Sequence, residues 1–165
     1  MPRLLTAGLA ALLVTCPSSA AEGKKITLRW YGQSFFVLES SQGTRVVFDP
    51  HAIEAYGRVT TKADLVLVSH MHNDHSQVGV IENRGRAKVL FGLKPDGRRL
   101  DWNPIDEKFQ DVHVRTVGVY HDPVEGMERG KNAVFVVEVD GLRVVHLGDL
   151  GHPLTETQVK RIGPV

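Results

Sequence analysis

Cysteine is nearly absent from this chain. The single example, Cys16, lies among the first residues. Once those residues are removed, a disulfide framework and a thiolate metal cage are both excluded. Charge of one sign is lacking too. The 20 Lys and Arg against 19 Asp and Glu leave a formal net charge of +1, so no basic field is available to hold nucleic acid or an anionic membrane. Arg84, Arg86, Arg98 and Arg99 sit near glycines, as solvated turns do. No apolar run approaches the roughly 20 residues of a permanent span, and no stable membrane crossing is expected. Repeats and low-complexity tracts are missing, and no serine or cysteine is placed suggestively as a nucleophile. None of this specifies an oligomeric state. What remains is 165 residues, 42% hydrophobic and 24% charged, which suits one modest globular domain.

The first residues differ in kind. Arg3 precedes the apolar run Leu4 to Val14, and Pro17-Ser18-Ser19-Ala20-Ala21 follows with small residues. That order of charge, apolar stretch and cleavable small residues predicts a signal peptide over 1–21. The mature domain is then 22–165, exported to the periplasm or secreted. A lipid anchor through Cys16 is the lesser expectation, because Thr15 is larger than the residue such signals place before the cysteine.

From Lys25 onward, short β-favouring runs alternate with turn residues. Ile26 to Trp30 and Phe35 to Leu38 flank Gly32-Gln33-Ser34, which predicts a hairpin. Arg45 to Phe48 reads as a strand ended by Asp49-Pro50. Leu65-Val66-Leu67-Val68 has the unbroken apolar character of a strand buried on both faces. Ser76 to Asn83 reads as a short helix, Ala87 to Leu90 as a strand, and Lys94 to Lys108 as a long surface loop rich in Pro, Gly and Asp. Val112 to Val119, Ala133 to Val139 and Leu142 to Leu147 are expected strands, the last two joined at Asp140-Gly141. Thr155 to Ile162 reads as a helix with Thr155 as its cap.

The chemistry concentrates in Ser69-His70-Met71-His72-Asn73-Asp74-His75. Residues two apart in an extended segment point the same way, so His70 and His72 can reach one ion together. Asp74 and His75 follow where the chain should turn, and can reach a second. Imidazole with carboxylate suits zinc, and also iron or manganese. Three histidines and an aspartate gathered without metal would be costly to desolvate.

The motif resembles the signature of the metallo-β-lactamase superfamily. Two later segments add to the likeness: Val119-Tyr120-His121-Asp122, and His146-Leu147-Gly148-Asp149-Leu150-Gly151-His152. Glu128-Arg129-Gly130-Lys131-Asn132 and the Gly148 to His152 stretch most resemble the branch of ascorbate-6-phosphate lactonase-like hydrolases. The resemblance implies an α/β fold, an αββα sandwich of two mixed sheets with helices outside and metals at one edge. It implies that His70, His72 and His121 hold the first ion, that Asp74 and His75 hold the second, and that Asp149 bridges them. Two divalent ions are expected, zinc first, with Mn2+ or Fe2+ as alternatives. The family also carries a later histidine on the second ion and a longer domain. No histidine follows His152, so the chain is expected to be truncated at Val165, with the second sheet incomplete and one sheet edge unpaired.

The remaining polar residues carry weaker signals. Asp49 is either a turn residue or a carboxylate that orients a ligand histidine. His51 and His113 read as surface or loop residues, and His146 as packed or facing solvent. His152 and Asp122 could line the cleft. Arg129 and Asn132 could contact an anion, with a loop-holding role slightly favoured.

The cluster implies a metal-dependent hydrolase acting on an ester, lactone or phosphodiester bond of a small molecule. Asp74 is the expected catalytic residue, orienting the nucleophile or receiving its proton. Cysteine at the Asp149 position is common in true β-lactamases, so β-lactam hydrolysis is disfavoured. Two alternatives come from other classes: an iron-dependent enzyme of the same fold oxidising a thiol or persulfide, and a non-catalytic metal-binding fragment.

Overall fold

The computed structural model describes residues 24–97 and 99–165. The expected signal peptide and Cys16 lie outside the described residues. Two sheets pack face to face. The first contains β1 (Thr27–Trp30), β2 (Phe36–Glu39), β3 (Arg45–Phe48), β4 (Leu65–Val68) and β5 (Lys88–Phe91), in that spatial order. The second contains β8 (Asp106–Phe109), β9 (Val112–Tyr120), β10 (Lys131–Val139) and β11 (Leu142–His146), ordered β11-β10-β9-β8. A two-stranded ribbon, β6 (Leu93–Asp96) and β7 (Arg99–Trp102), lies between them in sequence.

Alternation along the strands places the core. From β4, Leu65 and Leu67 face the space between the sheets, joined there by Phe48 of β3 and Phe135, Val137 and Val139 of β10. Val66 and Val68 face the opposite way, onto Phe35, Val80 and Ile81. All four residues of β4 are buried, as its unbroken apolar run predicts. On β10, Val134 and Val136 instead pack outward with Ile162 of α1 (Glu156–Ile162). Fully burying one such side chain is worth about 1.5–3 kcal/mol. Lys88 of β5 meets Glu107 of β8 at 2.7 Å, an ion pair between one strand of each sheet.

The capping role of Thr155 is borne out. Its side chain accepts from the Gln158 amide at 3.2 Å, and Gln158 Oε1 accepts from the Thr155 amide at 2.9 Å, a reciprocal capping box. Gln158 Nε2 also donates to Gly118 O at 3.1 Å, which ties the helix to β9.

Three expectations are corrected. Only the first sheet is mixed: β3, β4 and β5 run parallel, whereas the second sheet is antiparallel throughout. Ser76 to Asn83 forms only a 3₁₀ turn, Val78–Val80. Two β-branched residues around Gly79 are poor material for a helix nucleus. Lys94 to Lys108 is not a loop, because Gly97 at φ +59° reverses the chain into the β6–β7 ribbon and β8 follows. Pro95 is accommodated because a two-stranded ribbon has open edges. Among the described residues no helix is long and apolar enough to cross a membrane.

Candidate metal centre

The buried β4 delivers Ser69 and His70 at its end. His70 is buried and His72 exposed, with ring centroids 4.5 Å apart. The chain then turns, closed by His75 N donating to His72 O at 3.0 Å, and His75 swings back into the interior with no exposure. His121 comes from across the sandwich, one residue beyond β9, with its amide held by Gly130 O at 3.0 Å. Its ring lies 4.9 Å from that of His70 and 5.0 Å from that of His72. One ring nitrogen of each of the three histidines falls within 4.8 Å of the others.

Asp149 arrives through a turn built from two glycines. Gly148 lies at φ +55°, and a Cβ there would strike Asn132 Oδ1. A Cβ on Gly151 would overlap the His121 backbone, and the Gly151 amide donates to Tyr120 O at 3.0 Å. These close approaches set Asp149 Oδ2 3.0 Å from His121 Nε2 and 3.2 Å from His75 Nε2. Asp149 therefore stands between the three-histidine group and His75, the place a bridging carboxylate requires. Asp74 is looser: its Oδ2 lies 3.8 Å from His75 Nε2 and accepts from Gln33 Nε2 at 2.6 Å.

One buried carboxylate organises the whole group. Asp49 has no exposure and accepts four hydrogen bonds: from Ser69 N and Ser69 Oγ at 2.6 Å each, from His146 Nε2 at 2.7 Å and from His75 Nδ1 at 2.9 Å. Because Ser69 Oγ gives its proton to Asp49, it accepts from His70 Nδ1 at 2.9 Å. Neutral His70 then carries its proton on Nδ1, and its Nε2 lone pair is buried with no hydrogen-bond partner. An orphaned lone pair beside two further imidazoles fits a divalent ion. His75 is likewise anchored through Nδ1, leaving Nε2 toward Asp149 and Asp74. With four donors on its carboxylate, three of them on Oδ2, Asp49 is placed as an orienting group although it lies close to His70 and His75.

Protonation follows the same geometry. Burial, reinforced by the charge of His75, pushes His70 down to about 4. Burial would also lower His75, but hydrogen bonds to Asp149 and Asp49 outweigh it and raise it to about 9. Burial alone would raise Asp49, yet His146, His75 and Ser69 hold it well below the ordinary carboxylate range. Asp149 is lowered first by its bond to His75. In unfolded chains histidine titrates near pH 6.5. As pH falls from about 6.5 toward 4, the unfolded chain takes up the proton that folded His70 refuses, and stability drops. As pH rises from about 6.5 through 9, the stability contributed by protonated His75 is lost. Thermal melts of the chelator-treated chain should therefore peak near pH 6.5. A steady rise in melting temperature up to pH 9 would contradict this proton placement.

The structure thus brings together all six residues expected at the site: His70, His72, Asp74, His75, His121 and Asp149. Several weaker readings change. His146 neither faces solvent nor merely packs, for it is buried and donates to Asp49. His51 is a buried residue, with Nε2 on Gly32 O at 3.0 Å. Asp122 does not line the cleft; its carboxylate accepts from the amides of Val124, Gly126, Glu128 and Arg129 and shapes that loop. His152 has both ring nitrogens occupied, by the Tyr120 amide and by Pro153 O. His113 behaves as expected, pairing with Asp106 near the surface. Asn132 holds the Leu147 carbonyl at 2.8 Å, whereas Arg129 lines a cavity. Gln33 was not legible beforehand. In the sequence it is one polar residue of the β1–β2 turn, with nothing to link it to Asp74.

The family model for a β-lactamase superfamily domain matches residues 27–165. The chain belongs to the metallo-β-lactamase superfamily. A metal-dependent hydrolase of Methanocorpusculum labreanum is 30% identical over 139 residues, covering 75% of this chain and 60% of that protein. A metal-dependent hydrolase of Cupriavidus taiwanensis is 27% identical, covering 82% and 59%. Among solved structures, a candidate zinc-dependent hydrolase of the superfamily from Thermotoga maritima superposes with a TM-score of 0.58 at 32% identity, covering 86% of this chain and 58% of that one. The chain spans about three fifths of the length of these relatives.

Proposed function

We propose that this chain carries the metal centre of an exported hydrolase that cleaves an ester, lactone or phosphodiester bond in a small molecule. The observation that carries the reading is the buried, partnerless Nε2 of His70 facing His72 and His121, with Asp149 set between His121 and His75. His70, His72 and His121 would hold one ion, Asp74 and His75 a second, and Asp149 would contact both. When bound, divalent ions supply Lewis acidity toward water and toward the scissile carbonyl or phosphoryl group. Zn2+ heads the expectation, ahead of Mn2+ and Fe2+, from the imidazole and carboxylate donors.

The residues of the chain do the rest. Ser69 and Asp49 fix the tautomers that turn the histidine nitrogens inward. Asp74, with a side chain 44% exposed, stands where it can take a proton from an incoming nucleophile. Burial would raise its carboxyl, but the Gln33 bond outweighs it and keeps the group ionised. Ser69 is excluded as a nucleophile because it is buried and its hydroxyl is committed to Asp49 and His70. Export rests on the signal-like residues 1–21.

The test is turnover of p-nitrophenyl esters and bis(p-nitrophenyl) phosphate by chain loaded in turn with Zn2+, Mn2+ or Fe2+. Hydrolysis abolished by chelator and restored by one of these ions is the expected result. Thiol oxidation with iron and no hydrolysis would replace the proposal by the redox reading. Stoichiometric metal without turnover on any probe would leave a binding fragment.

A further inference from the structure

A cavity of about 760 Å³ opens beside His70 and His72. Its walls come from three places: the metal motif, the β6–β7 ribbon, and the connection from β9 to β10. Two kinds of side chain converge there that a water-filled cleft would not need. Met71, Leu100 and Met127 are large apolar groups left 44%, 41% and 81% exposed, and all three line this cavity. Arg99, Arg129 and Lys131 bring positive charge to the same lining.

The cations are not equivalent. Lys131 is already committed, with Nζ 2.6 Å from Asp101 and 4.4 Å from the centre of the Trp102 ring. It cross-links the ribbon to β10 and neutralises Asp101. No ion pair among the described residues consumes the charge of Arg99 or Arg129. Glu125 is the acidic residue of the lining, so the two arginines leave the cavity net cationic. The wall bearing Arg129 is also preformed. Asp122 collects four backbone amides, including that of Arg129 at 2.8 Å, and Gly126 at φ +78° packs where a Cβ would touch Gly130 O. A backbone already set leaves only the arginine side chain to be ordered when an anion binds.

We propose that this cavity is the subsite for the non-reacting part of the substrate, which has an apolar body and a carboxylate or phosphate group held by Arg99 and Arg129. A guanidinium matches either oxyanion through paired N–H donors. The thioether and leucine walls receive the hydrocarbon. As a statement about substrate the inference rests on the hydrolase reading, but binding to the cavity can be measured without turnover.

The experiment measures calorimetric binding of hexyl phosphate, hexanoate, hexanol and inorganic phosphate to the chelator-treated chain. An Arg99→Ala/Arg129→Ala variant is compared with wild type, and its melting temperature is recorded to show that it folds. Hexyl phosphate or hexanoate should bind wild type more tightly than hexanol or inorganic phosphate, and the stronger of the two names the anion. The double variant should lose roughly tenfold or more in affinity for that ligand while hexanol binding is unchanged. On the metal-loaded chain, KM for a carboxylate-bearing p-nitrophenyl ester should rise while that for a neutral one stays constant. Anion binding by the chelator-treated chain, with no turnover once metal is loaded, would sink the hydrolase reading and leave the subsite standing. Turnover that ignores both arginines, with equal binding of hexanol and hexyl phosphate, would overturn the subsite alone.

Discussion

Asp49→Ala is expected to destabilise the chelator-treated chain by about 3–5 kcal/mol, the usual cost of removing one partner from a buried charged network. Four donors converge on this carboxylate, and all are shut off from water: the Ser69 amide and hydroxyl, His75 and His146. Deleting it leaves each of them unpaired. Raised His75 loses the nearest of the carboxylates around it, so a protonated imidazole would stand less compensated in the interior. Asp49→Asn keeps the volume but turns an amide donor toward one of the existing donors, and should fall only slightly short of the alanine variant. Domains are stable by about 5–15 kcal/mol, so the alanine variant should lose a large share of its folding free energy in urea titrations. A change below about 1 kcal/mol would show that these bonds do not hold in solution.

His70→Ala/His72→Ala is the complementary experiment, expected to abolish metal binding and spare the fold. His72 is exposed and contributes little to packing. His70 is buried and bonded to Ser69, so its loss opens a cavity, a cost partly offset because its unpartnered Nε2 is removed as well. Elemental analysis should give near-stoichiometric metal in wild type and background in the pair variant, which should still melt cooperatively, at a temperature somewhat below that of stripped wild type. Retention of metal by the pair variant would place the ion elsewhere. Loss of metal and fold together would make these histidines structural. The two variants separate the orienting carboxylate, whose loss is felt in stability, from the ligand nitrogens, whose loss is felt in metal content.

Local pattern accounts for what could be read beforehand. The apolar run of β4 and the His-x-His-x-Asp-His spacing lie within a few residues, where strand and turn geometry dictate direction. The hairpin at Gly32-Gln33-Ser34 and the Thr155 cap were legible for the same reason. The β6–β7 ribbon was not, because its Pro, Gly and Asp content signals loops, while its strands exist through pairing with each other. The buried partners of His146 and His51 were not legible, because a histidine on a strand or after a turn looks the same whether it meets solvent or a buried acceptor. His121 and Asp149 entered only through family resemblance, since spacing alone assigns them no partner.

By itself the sequence determined the metal motif, the strand that presents it and the apolar periods of both sheets, since these depend on neighbours along the chain. The tertiary structure decided which distant groups meet: Asp49 with His146, Asp74 with Gln33, Asp149 between His75 and His121, and two arginines over an apolar wall. Those meetings depend on strand register and on close approaches at Gly148 and Gly151. A slip of one residue in β11 would turn His146 away from Asp49, and a slip in the neighbouring strands would displace the loops that carry the other groups.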